Sequence, residues 1–287
     1  MSTQPEVNTR VRALAPDVPA AQAIDEAGGT AAQHHELTSV DTTEFDRVRD
    51  RAAAIVARYP EPRSALLPLL HLAQYVQGHV GREGIAFCAE TLGITTAEVS
   101  AVATFYTMYK REPVGQHLVS VCTNTLCAAL GGDAIYQAVG EQLGEPGAPL
   151  KHEATSGTAG EQGSITLEHA ECLAACDLAP VLTVNYEFFD RQGVESATAI
   201  VEALRRGEKP APTRGAPLTD FRSIELLLAG FFDDPEVGGL EAVGGPSADE
   251  ATLAGARLAD ERGWRAPAMP EPPTPPTDPA ASRGDAS

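Results

Sequence analysis

The chain of 287 residues carries 40 acidic and 21 basic side chains, and this net charge of −19 argues against nucleic-acid binding, which needs clustered Lys and Arg. Its apolar content of 43% is enough for one or two buried cores. No apolar run is long enough to span a membrane, and the sequence MSTQPEVNTR at the start lacks the pattern of a secretory signal, so we expect a cytoplasmic protein without direct membrane insertion.

Composition divides the chain into four segments. Residues 1–40 are polar and rich in small side chains, and 12 of the 22 prolines follow Gly207. We therefore expect a disordered N-terminal segment over 1–40 and a largely irregular C-terminal extension over 210–287. Helical periodicity over 41–112 and strand alternation from 113 to 209 predict a small helical bundle followed by an α/β domain, an α+β fold class.

Four short helices are predicted in the first domain. They begin near Thr43, Ser64, Ile85 and Thr96. Gly93 is a typical C-terminal glycine, and Thr95 with Glu98 forms a capping box at the start of the fourth helix. Phe105, Tyr106 and Tyr109 follow at helical spacing, and we interpret them as core or inter-domain packing rather than an electron relay.

From His117 the period of the apolar residues changes to that of a strand. Residues 117–122 alternate and are rich in β-branched side chains, which predicts a strand ending at Cys122. The remaining predicted elements are a helix from near Leu126 to Gly144, strands at 164–172 and 181–184, a hairpin through 185–189 and a helix at 196–206. This order indicates a compact α/β layer.

Four cysteines form two close pairs at predicted strand-to-loop transitions. Four residues separate Cys122 from Cys127, and three separate Cys172 from Cys176. Thiolates select iron-sulfur clusters, zinc or copper(I), and close pairs in a reducing compartment predict metal ligands rather than disulfides. We interpret the four as ligands of an iron-sulfur cluster, which points to electron transfer. Structural zinc remains the alternative.

Other chemistry-bearing residues receive structural interpretations. A thioredoxin-type redox site would need C-x-x-C and a Rieske centre C-x-H, and neither pattern occurs. We interpret Cys88 as a packing residue, and His117, His152 and His169 as solvent or strand-end residues. The sequence contains neither of the two common nucleotide-binding signatures, so the electron donor and acceptor are expected on other subunits.

Five stretches carry a family resemblance: VATFYTMY at 102–109, PVG at 113–115, VCTN at 121–124 with Cys127, ECLAAC at 171–176 and APV at 179–181. They resemble the E subunit of bacterial NADH:quinone oxidoreductase (respiratory complex I), a family of thioredoxin-like [2Fe-2S] proteins. The resemblance runs from about Phe45 to about Gly207. It implies a thioredoxin-like [2Fe-2S] ferredoxin domain over 113–209, with Cys122, Cys127, Cys172 and Cys176 at the four ligand positions.

The resemblance also implies a function. One [2Fe-2S] cluster would exchange single electrons with the FMN of a partner subunit that binds NADH, and this chain alone would hold no complete active site. The further partners would be other peripheral-arm subunits of complex I, on the cytoplasmic side of the cell membrane. The alternatives are the equivalent subunit of an NAD-linked hydrogenase or formate dehydrogenase, and a zinc-stabilised module without redox activity.

Two residues depart from the family pattern. Ala174 stands where many members have Gly, which bears on the backbone torsions of the ligand loop. Asp177 also stands where Gly is common. Its charge would disfavour the more negative reduced cluster and lower its potential, or it is a solvated loop acid.

An apolar island lies inside the C-terminal extension, outside the resemblance. Residues 221–232 show helical spacing of apolar side chains. We expect this segment to dock on a neighbouring subunit by folding on binding. The alternative is that it covers this chain's own surface.

Overall fold

The computed structural model describes residues 40–144, 153–237 and 250–266. The predicted disordered segment therefore lies outside the described residues except for Val40, as do His152 and the proline-rich end of the extension. Among the described helices, none combines the length and the apolar character that a membrane span requires.

Four helices form the first domain. They are α1 Arg49–Val56, α2 Leu66–Gln77, α3 Arg82–Leu92 and α4 Thr96–Phe105, with 3-10 turns at Thr43–Val48 and Pro62–Ala65 leading into α1 and α2. Thr95 and Glu98 form the predicted capping box, and Gly93 ends α3 in the left-handed conformation. The sequence did not reveal that the first two helices begin as 3-10 turns, because helical spacing of apolar residues is similar in both forms.

The core of this domain forms around α2. Phe45 and Phe87 stack with ring centroids 4.6 Å apart. Cys88 is fully buried among apolar side chains and burial raises the pKa of its thiol, as expected for a packing residue. Tyr109 is buried beyond the end of α4 and donates a hydrogen bond to the Leu67 carbonyl at 2.9 Å. Tyr109 therefore packs in the core, as expected. Phe105 is 77% exposed and does not pack in the core of this chain.

The second domain is a five-stranded mixed sheet. Its strands are β1 His117–Cys122, β2 Glu153–Ser156, β3 Ile165–Ala170, β4 Leu182–Val184 and β5 Glu187–Phe189, and its helices are α5 Thr125–Ala129, α6 Gly132–Leu143 and α7 Val194–Arg205. The order across the sheet is β2-β3-β1-β4-β5. β1 pairs with β3 in parallel, and the other neighbours are antiparallel. One face of the sheet packs against α6 and α7 around Val119 and Val121.

Two features of this domain differ from the sequence prediction. The edge strand β2 was not predicted, because its residues are partly or fully exposed and lack an apolar face. The predicted helix from Leu126 to Gly144 is divided into α5 and α6 at Gly131, which has a φ of +109°. Apolar residues at helical spacing continue on both sides of the break, so periodicity does not show it.

A buried lysine joins the two domains. Lys110 follows the helical domain, and its Nζ forms ion pairs with Glu153 of β2, at 3.1 Å, and with Glu168 of β3. Its side chain is almost fully buried, so both carboxylates are needed to compensate its desolvation. This contact fixes the helical domain over the face of the sheet opposite α6 and α7.

The extension also returns to the helical domain. Its helix α8, Phe221–Leu228, begins at Asp220, whose carboxylate accepts a hydrogen bond from the Ser223 backbone N–H at 2.8 Å. Leu226 and Leu227 are buried in the core around α2, whereas a further helix, α9 Glu250–Glu261, is mostly exposed. The apolar face of the 221–232 island therefore covers this chain's own surface, the alternative interpretation, instead of being left free for a neighbouring subunit.

Replacing a buried leucine of α8 tests this packing. Leu226 is 0% exposed, so Leu226→Ala should lower the free energy of unfolding of the full chain by about 2–5 kcal/mol, through lost burial and a cavity. Leu228 on the same helix is 45% exposed, and Leu228→Ala should change the free energy of unfolding by no more than about 0.5 kcal/mol. Chemical denaturation of both variants measures the difference. Equal stabilities would contradict the packing of α8 on α2.

His117 provides a pH-sensitive contribution to stability. It is a strand-end residue, as expected, but it is buried, and Asn185 Nδ2 lies 3.0 Å from its Nδ1. Burial lowers the pKa of His117 to about 4. In the unfolded chain the pKa is about 6.5, so between these values only the unfolded state binds the proton. The folded state is therefore destabilised as the pH falls through this window.

We expect His117→Asn to reduce the acid sensitivity of the fold. The histidine accounts for a loss of up to about 3 kcal/mol between pH 6.5 and pH 4, and asparagine, which does not titrate, removes it. In denaturant titrations across this range, the unfolding free energy of the histidine chain should fall relative to that of the asparagine chain as the pH drops from 6.5 to 4. Parallel curves would show that the histidine does not control this dependence.

Candidate metal centre

The end of β1 and the end of β3 place the two cysteine loops side by side. In the parallel register Cys122 is opposite Ala170, and Cys172 follows only two residues later. Cys127 lies in α5, and Cys176 begins a 3-10 turn, Cys176–Leu178. Because parallel strands end at the same edge of a sheet, both loops leave it in the same direction. The expected strand-to-loop position is therefore found for Cys122, and Cys127 lies on a short helix instead.

The structure groups the four thiols in two pairs. Cys122 and Cys127 are hydrogen-bond neighbours, as are Cys172 and Cys176, and electrostatic interactions join Cys176 to both Cys122 and Cys127. The first pair is buried and the second is exposed. Within the described ranges, no three His, Cys, Asp or Glu side chains are already grouped around one metal position. Two thiolates on each of two irons is the ligand set of a [2Fe-2S] cluster, so the two pairs fit such a cluster.

The thiol pKa values reflect burial and mutual proximity. Burial is the main cause of a raised Cys127 pKa of about 11; the Val181 backbone N–H, which donates to this thiol, opposes the rise, and Cys122 adds to it. The contact with Cys172 is the main cause of the raised pKa of Cys176, and the Asp177 carboxylate adds a smaller effect. Without a metal these two thiols are therefore protonated at neutral pH. Metal binding must displace those protons.

Backbone N–H groups stabilise negative charge on the sulfurs. Besides the Val181 N–H on Cys127, the Ala174 N–H donates to Cys172 Sγ at 3.4 Å. Such bonds to an ionised acceptor are stronger than those between neutral groups. The backbone therefore favours the thiolate form that a metal ligand requires.

The backbone conformation of Ala174 shows why glycine is favoured at this position. This residue adopts a φ of +56°, in the left-handed region that glycine occupies without a steric penalty. An L-residue there costs about 1–2 kcal/mol. Glycine at this position would therefore be less strained. In this chain the loop between Cys172 and Cys176 contains the strained Ala174.

The start of α6 packs directly against the backbone of the first thiol pair, Cys122 and Cys127. A Cβ atom on Gly132 would lie 2.5 Å from the Cys122 carbonyl oxygen and 3.0 Å from the Cys127 carbonyl group. Only glycine fits this approach, because the obstructing atoms are backbone. Sequence reasoning missed Gly132. The available signal was a pair of glycines, 131 and 132, inside an otherwise helical pattern.

A cleft of about 540 Å³ opens beside Cys172, one of the two exposed thiols. The residues after α4, including Tyr106 and Tyr109, form one wall, and Glu168, Cys172 and Leu173 lie on the other. The cleft gives the Cys172 side of the site access from outside the chain. Cys122 and Cys127, in contrast, are covered.

We expect Gly132→Ala to disrupt this site. The new methyl group must displace the Cys122 carbonyl oxygen, which moves the first ligand pair relative to the second, so iron retained by the purified chain should fall severalfold. Gly193→Ala is the matched control, since a Cβ on Gly193 has no atom within 4 Å. Iron per chain, measured by metal analysis, distinguishes them. Equal iron contents would contradict the close packing of α6 on the ligand loop.

Known proteins resemble the chain in the region that contains this site. The family model described as thioredoxin-like [2Fe-2S] ferredoxin matches residues 52–205. The NADH-quinone oxidoreductase E subunits of Mycobacterium bovis and Mycobacterium tuberculosis are each 50% identical over 225 residues, which is 78% of this chain and 83% of theirs. The corresponding E 2 subunit of Rhizobium meliloti is 33% identical over 162 residues, 56% of this chain and 91% of that protein.

A solved structure of an NAD+-reducing [NiFe]-hydrogenase in the air-oxidized state aligns with a TM-score of 0.39 and 16% identity. The alignment covers 48% of this chain and 23% of the hydrogenase chain. The sequence relatives confirm the resemblance and the fold class inferred from the sequence. The chain therefore belongs to the thioredoxin-like [2Fe-2S] ferredoxin family, among relatives that are named as E subunits of NADH-quinone oxidoreductase.

Proposed function

We propose that this chain is the electron-transfer subunit of the NADH-oxidising module of an NADH:quinone oxidoreductase, an oxidoreductase and translocase. Cys122, Cys127, Cys172 and Cys176 would hold its single [2Fe-2S] cluster. The observation that carries the proposal is that the two thiol pairs lie in the segments that follow the parallel strands β1 and β3, at the same edge of the sheet. The names of relatives that are 50% identical support it.

The residues of this chain bind and orient such a cluster. A bound cluster supplies one-electron chemistry, since its irons change oxidation state by one electron at a time. The strand register holds Cys122 in place, and the N–H groups of Val181 and Ala174 stabilise charge on the sulfurs. A rigid site of this kind limits the rearrangement that accompanies electron arrival.

The two sides of the site suggest different roles. Cys122 and Cys127 are buried under α6, whereas Cys172 and Cys176 are exposed and Cys172 lines the cleft. A partner's redox group can therefore approach most closely from the Cys172 side. We propose that this partner binds FMN and NADH, and that the complex, with its other peripheral-arm subunits, lies on the cytoplasmic side of the cell membrane.

Metal analysis and spectroscopy test the proposal. The full chain, purified alone with its cluster, should contain about two irons and two labile sulfides, absorb visible light and give an EPR signal on reduction. Cys172→Ser should abolish or alter that signal. Cys88→Ala is the matched control, because Cys88 is buried in the helical domain, and it should retain the signal.

Two results would contradict this assignment. A colourless chain containing zinc would replace it with a structural zinc site. Normal iron and an unchanged EPR signal in the Cys172→Ser variant would remove Cys172 from the ligand set. Identifying the proteins that purify with the chain distinguishes the quinone-linked complex from the hydrogenase or formate dehydrogenase alternative.

A further inference from the structure

Two side-chain contacts connect the start of the Cys122 loop to the end of β3 and to the residue just after that strand. Thr123, directly after Cys122, places its Oγ1 in hydrogen-bond contact with His169 Nε2 on β3. The next residue, Asn124, donates from Nδ2 to Glu171 Oε2 at 3.1 Å. Each bond joins the loop that carries the first thiol pair to the segment that leads into the second.

The His169 ring is itself held from the other side. It meets the Tyr136 ring of α6 edge-on, with ring centroids 5.6 Å apart and planes at 81°. Tyr136 lies one turn after Gly132, the residue whose backbone packs on Cys122 and Cys127. His169 therefore stands between Thr123 and the helix that supports the first ligand pair.

The sheet alone does not fix both pairs. Its register ends at Cys122 opposite Ala170, and Cys172 lies two residues further on, exposed and outside the ladder. Cys122, Cys127, Cys172 and Cys176 could hold one two-iron cluster only with the two thiol pairs at a fixed separation. Contacts that orient the ligands of a metal centre contribute strongly to its retention.

We propose that Thr123 and His169 are positioning residues for the [2Fe-2S] cluster, together locking the Cys122 loop to the end of β3, the strand that leads into the Cys172 loop. The inference rests on the proposed function, since it assumes that the cluster is bound. The Thr123–His169 contact acts through the backbone of the loop, and neither residue binds the cluster directly. The Asn124–Glu171 bond is exposed, so water competes with it and it contributes less.

The test compares near-isosteric variants of the full chain carrying its cluster. Thr123→Val removes the hydroxyl at almost constant volume, and it should speed cluster loss to an iron chelator about tenfold without oxygen. Thr123→Ser keeps the hydroxyl and should restore near wild-type retention. His169→Ala should resemble Thr123→Val, and the double variant should be no faster than either, because both remove one contact. Asn124→Ala is the control and should change the rate less than about twofold.

A second measurement separates positioning from general stability. The thermal midpoints of the cluster-free Val and Ser variants at position 123 should agree, while the reduced EPR spectrum shifts in the Val variant alone. Equal cluster half-lives for wild type and Thr123→Val, or additive effects in the double variant, would overturn the lock. A wild-type chain that holds no iron and sulfide would instead overturn the proposed function, so the two failures are distinguishable.

Discussion

The parallel pairing of β1 with β3 is the constraint on which the site depends. Its register sets Cys122 opposite Ala170 and sends both cysteine loops from the same edge of the sheet. Val119 and Val121, on the face that packs under α6 and α7, fix this register, because a slip of one residue would turn them to the opposite face. Burial of apolar side chains in the sheet core thus determines where the first thiol lies.

Close backbone packing completes what the register begins. Gly132 brings the start of α6 onto the carbonyl groups of Cys122 and Cys127, and Val181 directs its N–H at Cys127. On the second loop, Ala174 accepts a left-handed conformation in which its own N–H reaches Cys172. Main-chain atoms therefore position the backbone of the first thiol pair and donate to one sulfur of each pair, Cys127 and Cys172.

The sequence predicted the parts of this site that leave a local pattern. Alternation gave the strand ending at Cys122, and cysteine spacing with the family resemblance gave the four ligand candidates. The break at Gly131 was not predictable, because apolar periodicity continues through it, and neither was the exposed edge strand β2. The Thr123–His169 contact depends on a register between segments 46 residues apart, which no local pattern encodes. Most of what the sequence did not predict is the relative position of segments that lie far apart in the chain.

Helix α8 likewise has a local pattern that the sequence reveals and a position that the sequence alone does not. Its apolar spacing predicts a helix, but only tertiary contacts select the surface that it covers. Glu225 on α8 is fully buried and meets His71 of α2 at 2.6 Å and the Tyr186 hydroxyl of the sheet domain at 3.1 Å. A buried charged group contributes little net stability but is costly without its partners. A placement of α8 that buried Glu225 away from His71 and Tyr186 would leave this side chain unpaired, so Glu225 favours the observed way in which the extension joins the helical domain to the domain that carries the four cysteines.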